Sequence, residues 1–305
     1  MCVLYADYEE NASMLQGLLT KAMTAMKAAV QDNAADLGRL AFWLANGYRL
    51  LTNMKQFSGE PQFISPDDKD SATLKTFDLQ EYRIVLSDLL VQIYHFVVKH
   101  IEHQLAGMIV PGMLEHESLP TSTSLPARRR GRAKIDCKVD DILKLLTKVH
   151  QELTEHWVEP KLVQQVFRQL FYIINATMCN HLLLRKDLVR LTKGMQVRYN
   201  ISKIEDWARD HNLEQICSSL VEAVQITQLL QCNKSKPDDI DTIFETCTKL
   251  KPLQIQKVLQ MYTPEDFEER VPAALIRAAQ ARVEAEAGAG TKLLTPTDED
   301  KLMAG

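Results

Sequence analysis

Two histidines three residues apart, His100 and His103, flank Glu102 in KHIEHQ, with His95 upstream and His116 downstream. His-x-x-His on one helix face is a zinc-ligand spacing, but zinc needs three or four converging ligands, and no obvious remainder is present. These histidines are expected on a solvated or inter-bundle face. The carboxylate pairs Asp239 with Asp241 and Glu268 with Glu269 have the composition for acid and base work. They fall at helix starts and on polar faces, where a carboxylate complements the helix dipole. No GxxxxGK[ST], GxSxG or HExxH pattern occurs, and the glycines at 288–290 neither follow a strand nor open a helix. No catalytic residue, metal ligand or cofactor is expected, and the chain reads as a non-enzyme.

Cations form two clusters. RRRGRAK, from Arg128 to Lys134, reads as a solvated or regulatory loop, with RNA or acidic lipid as the competing reading. The segment 181–200, HLLLRKDLVRLTKGMQVRYN, carries Arg185, Lys186, Arg190, Lys193 and Arg198 against Asp187 alone. Arg185 and Lys186 answer the dipole at the end of the preceding helix. Arg190, Lys193 and Arg198 lie beyond its reach, and Gly194 and Tyr199 beside them suggest a surface shaped for a partner. The whole chain has 36 Lys and Arg against 40 Asp and Glu, a net charge of -4, which argues against bulk nucleic-acid binding.

The elements that must position these groups are helical. Met14, Leu15, Leu18, Leu19, Met23, Met26 and Val30 recur at three- and four-residue steps, as do Leu37, Leu40, Ala41, Leu44, Tyr48 and Leu51. The pair is expected as an antiparallel hairpin through QDNAAD. Phe77-Asp78 opens a long helix whose face runs from Leu79 to about Leu105. Helices resume at Val139, then through Pro160 into a segment with Val163, Val166, Phe167, Leu170, Phe171, Ile174 and Met178, apolar nearly all round. Ser202 with Glu205 reads as a capping box, and Thr263-Pro264-Glu265-Asp266 as a second helix start. Short helices are predicted at about 213–231, 238–248, 253–262 and 272–286. No strand alternation appears, so the class is all-α.

With 305 residues, 46% of them apolar, the chain can bury a sizeable core. Residues 111–137, with three prolines and a cationic block, are expected to hold no packed element. The expected organisation is a first helical bundle at 1–118, a flexible basic loop at 119–137, a second bundle at 138–286 and a disordered tail at 287–305. Apolar runs such as 166–184 are interrupted by polar residues, so no bilayer span is expected, and the N-terminus lacks a leader pattern. Cys2, Cys137, Cys179, Cys217, Cys232 and Cys247 form no CxxC pair and are expected as reduced thiols, mostly in the core. The chain therefore reads as soluble and intracellular.

Several blocks resemble one family: FWLANGYRLLTNMKQFSGE (42–60), FDLQEYRIVLSDLLVQIY (77–94), MIVPGMLEHES (108–118), QLFYIINATMCNHLLLRKDLVRLTKGMQVRYNISKIEDW (169–207) and VLQMYTPEDFEERV (258–271). They look like the dilute (DIL) cargo-binding domain in the globular tail of class V myosins, over about residues 1–280, truncated at both ends. Afadin-type scaffolds share the domain more distantly. The resemblance implies an elongated module of two helical bundles joined by a long helix. It implies capture of vesicle adaptor proteins and Rab GTPases in the cytoplasm, on vesicles and actin, with actin and membrane reached only indirectly. It also implies folding back on the motor head for autoinhibition. The family's head-contacting lysines fall on TKGMQ and IQKVLQ, here Lys193 and Lys257. Its Rab contacts fall on RYNIS and QLLQ, here Tyr199 and Gln231. The resemblance further places an adaptor surface on the first bundle, between the helix holding Phe42 and Trp43 and its neighbours, with core packing of that aromatic pair as the competing reading. A stand-alone tail of this kind would compete with full-length motors for cargo.

Overall fold

Each apolar stripe folds as a helix because burying one face removes it from water while the backbone satisfies its own hydrogen bonds. The computed structural model describes residues 5, 7–58, 74, 77–117 and 137–285. Among these residues the regular elements are all helical. They are α1 (Ala12–Asp32), α2 (Leu37–Phe57), α3 (Gln80–Ile109), α4 (Val139–Glu155), α5 (Pro160–Leu184), α6 (Leu191–Asp210), α7 (Val221–Gln231), α8 (Asp239–Thr246), α9 (Pro252–Met261) and α10 (Ala273–Ala285). Short side chains mark three starts. Asn11 accepts from Met14 N at 2.9 Å, Asp36 from Arg39 N at 3.1 Å and Asp78 from Gln80 N at 2.8 Å.

The chain divides into two compact units, 1–101 with 148–166, and 102–147 with 167–305. They are discontinuous in sequence, unlike the linear division at 1–118 and 138–286, because α3, α4 and α5 each contribute residues to both. Of the predicted loop and tail, residues 119–136 and 287–305 lie outside the described residues, and with them the cluster Arg128 to Lys134.

In the first unit, α1 buries Leu15, Leu19, Met23, Met26 and Val30, and α2 buries Leu40, Ala41, Leu44, Leu51 and Met54. A Cβ on Gly47 would stand 2.7 Å from Leu90 Cδ2, so this glycine lets α2 lie close against α3. In the second unit Phe167, Leu170, Phe171, Ile174 and Met178 of α5 are fully buried, as predicted for a central helix. Phe167 lies 5.2 Å from the Trp207 ring, whose Nε1 donates to Thr147 Oγ1 at 2.9 Å.

Four expectations are corrected. Residues 110–115 are a packed element: the helix runs past Pro111 as a π-helical turn, Val110–Glu115, burying Gly112, Met113 and Leu114. A proline ring collides with the carbonyl four residues back in an α-helix, and widening to π geometry accommodates it. Ser202 and Glu205 do not start a helix. They sit inside α6, where Ser202 Oγ donates to Tyr199 O at 2.8 Å and Glu205 accepts from Arg198 at 2.9 Å. The buried face Val197, Ile201, Ile204 runs straight through them. Thr263 to Asp266 start no helix and are tied to the start of α6: Thr263 N donates to Val189 O at 2.9 Å, and Glu265 accepts from the Thr192 hydroxyl. Finally, the segment Gln80–Glu115 is long and apolar enough to cross a membrane by length and composition, with a mean hydropathy of 1.4 in its richest window. Within the protein it fully buries Leu86, Ile93, Val97, Ile101, Leu105 and Ile109.

Candidate partner-binding surface

The basic segment 181–200 spans the end of α5, a 3-10 turn (Lys186–Leu188) and the start of α6. Its cations are largely answered from within the second unit. Arg185 Nη1 donates to Glu115 Oε1 at 2.7 Å and Nη2 to Asp187 Oδ2 at 2.8 Å. These bonds, Asp187's the stronger, hold the guanidinium above its ordinary range. Lys193 Nζ donates to Glu117 Oε1 at 2.9 Å, and Arg198 Nη1 to Glu205 Oε2 at 2.9 Å. Arg190 turns inward, its Nε buried without a hydrogen-bond partner among the described residues. Lys186 is exposed.

The acids Glu115 and Glu117 were not anticipated as part of this surface, because they lie in the stretch expected to be unpacked. The π turn brings them to α5 and α6. Asn200, fully buried on α6, holds the turn in place: its Nδ2 donates to Met113 O at 3.0 Å, His116 O at 3.4 Å and Gly112 O at 3.5 Å. Gly194 has a packing role rather than the partner-shaping one expected. It is buried, and a Cβ there would stand 2.7 Å from Leu230 Cβ, so it sets the close approach of α6 and α7.

The four residues singled out in the sequence fall on three helices of this unit, α6 packing on α7 and α7 on α9. Lys193 and Tyr199, six residues apart on α6, point about 120° apart around its axis. Lys193 is only 19% exposed beneath its ion pair. Tyr199 is exposed, with Lys203 Nζ 5.5 Å from its ring centroid, and Met195 one turn earlier is exposed too. Gln231 ends α7, its Nε2 donating to Thr227 O at 3.0 Å. Lys257 is exposed in the middle of α9.

In the first unit, Phe42 and Trp43 meet edge to face at 5.2 Å, Phe42 half exposed. They line a groove of about 400 Å³ with Asn33, Arg39 and His156, over Ala29 and Gly38. Arg39 is held there by Asp36 and by Asn33. Among the described residues, no three His, Cys, Asp or Glu side chains gather as metal ligands. The carboxylate pairs have structural partners: Asp239 accepts from Lys236 N at 2.8 Å, and Glu268 from Tyr262 Oη at 2.8 Å.

Against this geometry the comparisons with known proteins are specific. The DIL domain family matches residues 165–266. Unconventional myosin-Va of Rattus norvegicus is 40% identical over 294 residues, which is 93% of this chain, while the chain spans only 16% of that relative's length. Among solved structures, apo Myo2-GTD superposes with a TM-score of 0.72 at 22% identity, covering 96% of this chain and 74% of that one. The structure of Myo2-GTD in complex with Mmr1 gives a TM-score of 0.70 at 23% identity, covering 94% and 71%. At these identities the two structures speak for the fold alone.

Proposed function

The chain belongs to the DIL-domain family of class V myosin globular tails, and on that premise we propose that it is a non-catalytic cargo-binding module. It takes hold of vesicle adaptor proteins and Rab GTPases for actin-based transport in the cytoplasm, and it docks on a motor head to keep it inactive until cargo arrives. Actin and membranes are reached only through these partners. Tyr199 and Gln231 form the GTPase contact, and Lys193 and Lys257 the head contact.

The observation that carries the reading is positional. All four residues fall inside the span matched by the DIL family, on three helices packed against one another, and three of the four are exposed. That a related tail has been solved with the protein Mmr1 supports an adaptor as one partner class. The groove beside Phe42 and Trp43 supports a second contact surface on the first unit.

The energetics suit a switch. An exposed ion pair contributes about 0.2 to 1 kcal/mol and weakens with salt, so two lysines dock a head modestly. A cargo of micromolar affinity supplies about 8 kcal/mol at standard state, ample to displace that contact where the two sites are coupled.

The test is binding of the purified full chain to a GTP-loaded recycling-endosome Rab and to a class V motor head whose ATPase is followed. Tyr199→Ala with Gln231→Ala should abolish GTPase binding and leave head inhibition in place. Lys193→Glu with Lys257→Glu should do the reverse. Unchanged head inhibition in the double lysine variant would refute the head assignment.

A further inference from the structure

We infer that Glu117 is a built-in competitor that keeps Lys193 occupied, so that a motor head must exchange its own carboxylate for Glu117 in order to dock. The inference rests on the assignment of Lys193 as a head contact. The two lysines of that contact start in different states. Lys257 stands exposed on α9, whereas Lys193 is 19% exposed, its Nζ 2.9 Å from a Glu117 carboxylate that is itself 51% exposed. An ammonium already paired in this way has no unmet charge to offer. An incoming acid gains only the difference between its own interaction and the one it breaks.

Glu117 is positioned rather than loosely tethered. It lies two residues past the π turn, whose buried residues Met113 and Leu114 anchor that turn. The Asn200 amide holds the carbonyls of Met113 and His116, one residue before Glu117. Arg185 fixes Glu115, two residues before, at 2.7 Å. The carboxylate of Glu117 is therefore presented to Lys193 by a clamped backbone, which raises its local concentration above that of any acid arriving from another surface. Being half exposed, it is also the member of the pair that yields without unpacking the core. The partner this arrangement selects is a protein surface that brings at least one carboxylate to Lys193 while a second acid engages Lys257. A surface with one acid alone binds Lys257 and leaves the Lys193 pair closed.

The experiment compares the full chain with Glu117→Gln, Lys193→Gln and the double variant in inhibiting the ATPase of a class V motor head, at low and moderate salt. Glu117→Gln keeps the side chain's size and removes its charge. It should lower the chain concentration needed for half inhibition by about two- to five-fold, the range an exposed ion pair supports. The gain should vanish in the Lys193→Gln background, a dependence that a general effect on folding would not produce. If Glu117→Gln changes nothing while Lys193→Gln weakens inhibition, the competitor role is overturned and the head contact stands. If neither substitution alters inhibition, the assignment of Lys193 falls and this inference falls with it.

Discussion

Replacing Asn200 tests whether the turn carrying Glu115 and Glu117 is held by one side chain. The amide nitrogen, with two N–H groups, donates to three carbonyls: Met113 O at 3.0 Å, His116 O at 3.4 Å and Gly112 O at 3.5 Å. Its Oδ1 accepts from Gln196 Nε2 at 3.2 Å. Those carbonyls close a helix end, where the backbone has no partner of its own. Asn200→Ala strands the Met113 carbonyl in the interior. At about 1 to 3 kcal/mol for a buried group left unsatisfied, the expected loss is about 1 to 3 kcal/mol. That is a large fraction of the 5 to 15 kcal/mol typical of a folded domain. Asn200→Asp keeps the shape but sets a carboxylate against carbonyl oxygens, and should cost more than alanine. Urea unfolding followed by far-UV circular dichroism reads both changes, and the transition of the second unit should move. A loss below about 0.5 kcal/mol for Asn200→Ala, within the range of surface changes, would refute the clamp. So would an aspartate variant as stable as the alanine one.

Two further outcomes follow from packing and burial. Gly194→Ala drives a methyl to 2.7 Å from Leu230 Cβ, an atom fixed to the α7 backbone, and should lower stability by about 1 to 3 kcal/mol in the same urea assay. Burial also pushes the Cys179 and Cys247 thiols above their ordinary value of 9.0, Cys247 to about 12. The unfolded chain releases these protons near pH 9 and the folded chain does not, so this stabilisation is complete below pH 9 and is lost as pH rises towards 12. The urea midpoint should fall between about pH 8 and about pH 10.5, less steeply in Cys179→Ala with Cys247→Ala.

Much of the helical content was legible because local chemistry decides it. Apolar residues at three- and four-residue steps specified α1, α2, α3 and α5, and the short helices α7 to α10 fall close to their predicted spans. Capping patterns were less informative. Ser202 with Glu205 has the letters of a capping box, yet α6 carries its buried face through them, and burying that face outweighs a cap worth about 1 kcal/mol. Residues from Pro111 onward read as unpacked, and the chain answered with a π turn. The buried trio Gly112, Met113 and Leu114 explains why helical packing persisted there.

At the candidate surface, the family blocks suggested which residues to consider; of these, Tyr199, Gln231 and Lys257 are exposed. Their electrostatic state was not legible. Sequence alone showed five cations against one acid in residues 181–200, because the count could include only neighbours along the chain. Folding brings Glu115 and Glu117 against Arg185 and Lys193, from 70 and 76 residues away. It also turns Gly194 from a feature of the surface into a contact between helices. Periodicity depends on the geometry of a single helix and can be read from letters. Charge pairing depends on which helices meet, and only the tertiary structure decides that.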